Sequence, residues 1–114
     1  MALKILFADD KKVGELFCEI ARRGGNEADY VLTAEEAVEK LRKGSYNLAF
    51  IEYNFKGELN GLEAISQIRA FSDIPIYLVS GNLMAGERAE AAGATEFVDK
   101  LRDNLVDKIK EKMK

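Results

Sequence analysis

The sequence has no histidine and no tryptophan, and only one cysteine and one proline in 114 residues. Without histidine the chain holds no Ser-His-Asp triad, no phosphohistidine and none of the common imidazole zinc sites. Cys18 is alone, so no internal disulfide forms, which points to a reducing, cytoplasmic setting. No apolar run approaches the ~20 residues of a membrane span, and no membrane partner is expected. The opening MALKILFADD turns acidic too soon for a signal peptide. Positive charge is not in excess: the net charge is −3, which disfavours a general nucleic-acid binder. What is present is 47% hydrophobic and 32% charged, the balance of a folded globule and not of a disordered chain. The length fits one domain, 1–114, with an expected radius of gyration near ~13 Å.

Five short apolar runs alternate with five helical patterns. The runs are Leu3 to Ala8, Ala28 to Leu32, Leu48 to Ile51, Ile74 to Val79 and Thr95 to Val98. Continuous apolar runs of this length predict parallel strands covered on both faces. The first helix is predicted after Asp10, with Val13, Leu16, Phe17 and Ile20 as one inward stripe, Cys18 off its centre, and Gly24-Gly25 as its end. Thr33 and Glu36 predict a reciprocal capping box at the second helix. Gly44 ends that helix. The third follows Asn60-Gly61. The fourth, about Ala85 to Ala92, is stopped by Gly93. The last is predicted to carry Leu101, Leu105, Ile109 and Met113 at four-residue spacing. Phe50 and Tyr77 are assigned to the core. Such β-α alternation implies right-handed crossovers and an open parallel sheet with ligands beyond the carboxyl ends of the strands.

Those ends are polar. The first strand delivers Asp9 and Asp10, the third Glu52, the fourth Ser80, and the fifth Asp99 and Lys100. Each feature alone has an ordinary reading: a helix cap, a turn serine, an exposed lysine. Together they place carboxylates, a hydroxyl and an ammonium on one rim. Clustered carboxylates repel unless their pKa values rise or a cation sits among them. Mg²⁺ takes one or two carboxylates and keeps several waters, and the lysine and serine suit an anionic phosphoryl oxygen.

In this arrangement the chain resembles the receiver domain of bacterial response regulators along its whole length. LKILFADD resembles the family's first strand and acidic pair; YNLAFIEYNFKGELNGLEAISQIR its third strand, active-site loop and third helix; IPIYLVSG its fourth strand; AAGATEFVDK its fifth. The resemblance implies a flavodoxin-like three-layer α/β sandwich with five helices and a five-stranded parallel sheet of order 2-1-3-4-5. It implies Mg²⁺ ligands at Asp9, Asp10 and the Asn54 backbone carbonyl, phosphoryl contacts at Ser80 and Lys100, and a switching aromatic at Phe97. The face formed by the fourth helix, fifth strand and fifth helix is the implied docking surface, with small residues Ala85, Ala89 and Ala92 permitting close approach of a partner.

The central position departs from the family: Glu52 stands where an aspartate accepts the phosphoryl group. Its carboxylate reaches one carbon–carbon bond, ~1.5 Å, further. The loop YNFKGELNG lacks the family's usual proline, and Lys100 precedes Leu101 where receivers commonly have a cis Lys-Pro bond. Cis before a non-proline residue costs ~3 kcal/mol, so trans is expected. The leading reading is therefore an atypical, stand-alone receiver, a non-enzymatic signalling module not switched by ordinary aspartyl phosphorylation. The alternative is a phosphorylation-competent receiver served by a histidine kinase. A flavin carrier of the same fold is disfavoured by the acidic first β-α loop, and a cobalamin domain by the absence of histidine.

Overall fold

The structure, a computed structural model, describes residues 2–114. Its elements alternate strictly: β1 Lys4–Ala8, α1 Lys11–Arg23, β2 Glu27–Val31, α2 Ala34–Lys43, β3 Leu48–Glu52, α3 Gly61–Ile68, β4 Ile76–Ser80, α4 Leu83–Ala92, β5 Glu96–Asp99 and α5 Leu105–Lys112. All four strand pairings are parallel, in the order β2-β1-β3-β4-β5. This is the expected flavodoxin-like α/β sandwich, and the radius of gyration is 12.5 Å.

Strand periodicity divides the core in two. Leu6, Ala8, Ala49, Ile51, Ile76 and Leu78 face α2, α3 and α4; Ile5, Phe7, Leu48, Phe50 and Val79 face α1 and α5. On the second face Phe7 stacks on Phe50 at 5.2 Å, and Phe50 on Tyr77 at 5.1 Å, a row of offset aromatic contacts across β1, β3 and β4.

Several expectations are corrected. In α1 Phe17 is buried and Val13 and Ile20 pack at the edge of the core as expected, but Leu16 is exposed, and the fully buried residues Gly14, Phe17, Cys18 and Ala21 put the centre of the inward face one residue further on. Gly14 explains the rotation: a Cβ there would lie 2.7 Å from the Tyr30 ring, so α1 approaches β2 through its small residues. The left-handed residue after α1 is Gly25 (φ 85), not Gly24. At α2 the box is incomplete: Thr33 Oγ1 accepts from the Glu36 amide at 3.1 Å, but its hydroxyl, not its amide, donates to Glu36 Oε1. The complete box is at α3, between Asn60 and Glu63. Leu101 lies in a turn before α5 and is 80% exposed. Tyr77 is only half-buried, its ring meeting the Lys112 ammonium at 5.4 Å. The Lys100–Leu101 bond is trans.

Candidate functional site

Parallel pairing aligns the carboxyl ends of β1, β3, β4 and β5, and a solvent-open hollow of about 450 Å³ lies among them. Asp9, Asp10, Glu52, Asn54, Ser80 and Lys100 all line it, with Gly81 and Asn82 completing the wall. Sequence separation of up to 91 residues is closed by the sheet: the Lys100 amide continues the β4–β5 ladder by donating to the Ser80 carbonyl at 3.1 Å. Phe97 does not reach the hollow. It is half-buried beside α4, where a Cβ at Gly86 would stand 2.5 Å from its ring.

The centre of the hollow is an ion triplet. The Lys100 ammonium lies 3.1 Å from Asp9 Oδ2 and also contacts Glu52 Oε2. The three side chains are 23%, 8% and 12% exposed, so this is a largely desolvated cluster. The second Glu52 oxygen accepts from the Tyr53 amide at 2.7 Å, leaving both Glu52 oxygens engaged. Burial pushes the Asp9 carboxyl up, and the Lys100 charge and the Asp10 amide only partly offset it. For Lys100, burial works against the charge, but the Glu52 and Asp9 carboxylates outweigh it and hold its pKa above the ordinary value.

The remaining groups have local duties as well. Asp10 is the N-cap of α1, its carboxylate accepting from the Val13 amide at 2.8 Å. Ser80 is buried, its Oγ accepting from the Asn82 amide at 3.0 Å, which leaves the hydroxyl proton for another acceptor. Asn82 caps α4. Asp99 turns away to organise the following turn, its carboxylate accepting from the Leu101 amide at 2.9 Å. Asp99 is thus not part of the cluster on the rim.

For a metal, the donor set is all hard oxygen. Among the described residues no three His, Cys, Asp or Glu side chains converge on one point. The chemistry nevertheless fits Mg²⁺, which needs only one or two carboxylates and a carbonyl, with water completing its octahedron. One Asp10 oxygen is committed to its cap, and Asp9 shares its charge with Lys100.

The sequence did not reveal the parts that hold the β3–α3 loop, residues 53–60. At its neck the Gly61 amide donates to the Tyr53 carbonyl at 2.8 Å. A Cβ on Gly61 would lie 2.1 Å from the Glu52 carbonyl oxygen, so only glycine fits behind the Glu52 backbone. The -Asn-Gly- pair before a helical pattern was visible as a helix start; its second role in passing the strand end was not.

The profile of the response regulator receiver domain matches residues 5–110. Comparison with curated protein sequences gives no match. Among solved structures, the response regulator TrrA of Thermotoga maritima, determined with Mg²⁺ and BeF, is 28% identical with a TM-score of 0.83, over 98% of this chain and 96% of that one. A CheY-like receiver domain protein of Methanospirillum hungatei JF-1 is 24% identical with a TM-score of 0.83, over 99% of this chain and 94% of that one. NtrX of Brucella abortus, determined with ADP, shares the fold at a TM-score of 0.84 and 24% identity over 97% of this chain. The present chain spans about a quarter of NtrX, 26%. Parallel strands in the order 2-1-3-4-5, acidic groups and a lysine at their carboxyl ends, and a family match over residues 5–110 together place the chain in the response regulator receiver domain family.

Proposed function

We propose that this chain is an atypical receiver: a protein-interaction module whose state is set through its contacts and not by aspartyl phosphorylation. One observation carries this reading, the engagement of both Glu52 carboxylate oxygens, one by the Lys100 ammonium and one by the Tyr53 amide. A phosphoryl acceptor must present a free oxygen in line with the leaving group, and phosphoryl transfer is chiefly positioning. An oxygen held on a lysine and displaced by ~1.5 Å is poorly placed for that attack. Lys100, the group that would receive a phosphoryl oxygen, is already neutralised by Asp9 and Glu52.

In this reading Asp9, Asp10 and the Asn54 carbonyl would hold Mg²⁺, which would supply positive charge against the carboxylates. Ser80 would offer its free hydroxyl proton to an anionic oxygen, and Phe97 would respond to movement of α4. The partner is a signalling protein docking on α4, β5 and α5. Ala85 and Ala89 are buried against the sheet and unavailable to it; the exposed apolar residues near that face are Leu83, Met84 and Leu101.

The alternative is a receiver that takes a phosphoryl group from a histidine kinase in a Mg²⁺-dependent step. It is favoured by the convergence of Asp9, Asp10, Ser80 and Lys100 on one hollow. Amide NMR with Mg²⁺ and beryllofluoride, on wild type and on Glu52→Asp, separates the two. The atypical reading expects Ser80, Phe97 and Lys100 to shift only in Glu52→Asp. Shifts of those residues in wild type would overturn it in favour of the alternative.

A further inference from the structure

The β3–α3 loop carries Asn54 and contains no proline; the single proline of the chain is Pro75. Its order therefore has another source. At its tip, Gly57 has φ +117, a left-handed conformation that other residues adopt at a cost. Against this turn lies the carboxylate of Glu35, from the first turn of α2. Glu35 Oε2 accepts from the Glu58 amide at 3.0 Å and from the Leu59 amide at 3.3 Å. A Cβ on Gly57 would stand 3.1 Å from that same oxygen. The other oxygen, Oε1, is shielded from solvent and has no hydrogen-bond partner in any other described residue.

An acidic residue in the first helical turn is ordinarily a dipole partner that needs no particular contact. Glu36 fills that place beside Thr33. Glu35 differs, because a carboxylate oxygen buried without a donor is costly. It stays there because two amides from the far loop hold its partner oxygen. Its own amide and those of Glu58 and Leu59 keep its carboxyl below the usual range.

We propose that Glu35 is a positioning residue for the acidic hollow, tying the tip of the β3–α3 loop to the start of α2 so that Asn54 is held at the rim. The tie has a second consequence. A neighbouring hollow of about 580 Å³ has Leu32 and Thr33 on one side and Asn54, Phe55 and Lys56 on the other. Those are the two segments that Glu35 links, so the tie also sets the separation of its walls. The loop is thus clipped twice, at its neck by Gly61 on Tyr53 and at its tip by Glu35. The inference is independent of whether Glu52 accepts a phosphoryl group.

The test is amide hydrogen exchange by NMR on wild type, Glu35→Ala and Glu35→Gln. Charge-assisted bonds of this kind predict that the Glu58 and Leu59 amides exchange about tenfold to a hundredfold faster in Glu35→Ala. The amides of Asn54, Phe55 and Lys56 shift, while those of the β-strands keep their rates. Glu35→Gln, which keeps a carbonyl acceptor, recovers part of the protection; a merely space-filling role would be recovered in full. In Mg²⁺ titrations, the Asn54 amide of Glu35→Ala responds at severalfold higher concentration. Unchanged exchange at Glu58 and Leu59 overturns the proposal, and so does equal acceleration of every amide. A wild type indifferent to Mg²⁺ refutes the metal assignment made above, and the exchange rates then still decide the tie.

Discussion

Replacing Lys100 by methionine removes a charge but keeps most of the side-chain volume. In the folded chain this leaves the Asp9 and Glu52 carboxylates, 8% and 12% exposed, facing each other without a cation. Removing one partner of a buried ion cluster costs about 3–5 kcal/mol. The hollow is open to water and Lys100 is itself 23% exposed, so the expected loss is lower, about 2–4 kcal/mol. For a domain of this size that is a fall in Tm of about 8–16 °C. The assay is urea unfolding in EDTA at pH 7.5 and 4.5. The sign of the pH effect follows from Asp9, whose folded pKa is raised by burial. The Asp9 contribution favours folding below the ordinary carboxylate range and is lost as pH rises through the raised value. Without Lys100 that value rises further, so the variant's deficit is full at pH 7.5 and shrinks at pH 4.5. Adding Asp9→Asn to Lys100→Met removes the repulsion and recovers at least half of the loss. A deficit under about 0.5 kcal/mol, the worth of an exposed pair, would refute the reasoning, as would a deficit that grows on acidification.

Three further outcomes are expected. Gly61→Ala drives a Cβ to within 2.1 Å of the Glu52 carbonyl oxygen, so it costs more than about 3 kcal/mol in urea unfolding or prevents soluble expression. Gly86→Ala presses on the Phe97 ring, which lies 2.5 Å from the new Cβ; the ring resonances of Phe97 shift while the Lys100 amide holds its place, and an unmoved ring would count against the packing described here. Tyr46 is buried with its hydroxyl on Asp29 Oδ2 at 2.7 Å, and burial followed by that bond pushes its pKa upward. It therefore stays protonated in an ultraviolet titration where free tyrosine ionises, near ~10, and its contribution to stability falls as pH climbs above that value, because the unfolded chain releases the proton first.

The strand runs and the polar strand ends were legible because a buried parallel strand needs a continuous apolar run and a fixed place for its last residue, whereas the sheet order followed only from the family resemblance. In α1, Val13, Phe17 and Ile20 do pack on the core, and the displacement of its centre, which leaves Leu16 exposed, has a physical reason. Val13, Leu16, Phe17 and Ile20 differ by one residue from Gly14, Phe17, Cys18 and Ala21, and hydropathy favours the first set. The helix buries the second because Gly14 lets it close on Tyr30. Leu101 fits the four-residue spacing of α5, yet Asp99 caps an intervening turn and leaves it exposed. In the site, Glu52, Asp9 and Lys100 were legible as positions, but the pairing among them depends on side-chain reach. The link from Glu35 to Glu58 and Leu59 crosses 23 and 24 residues and has no local signature at all.

The residues that seat α4 on the sheet are small. Ala85 and Ala89 are its buried anchors, whereas α3 is held by Ile65 and Ile68 as well as Ala64. At about 0.8 kcal/mol per methylene-sized group, two alanine methyls contribute roughly 1.6 kcal/mol, and each isoleucine about 1.5–3 kcal/mol. Detaching α4 thus takes far less work than detaching α3, and the helix is the natural first unit of local unfolding in this fold. Its outer surface presents Leu83 and Met84, 51% and 65% exposed, to a binding protein. A partner that grips those two side chains does not have to overcome the stability of the whole domain to move α4. It needs only to overcome the local packing of α4, the two alanine methyls and the contact of Gly86 with the Phe97 ring.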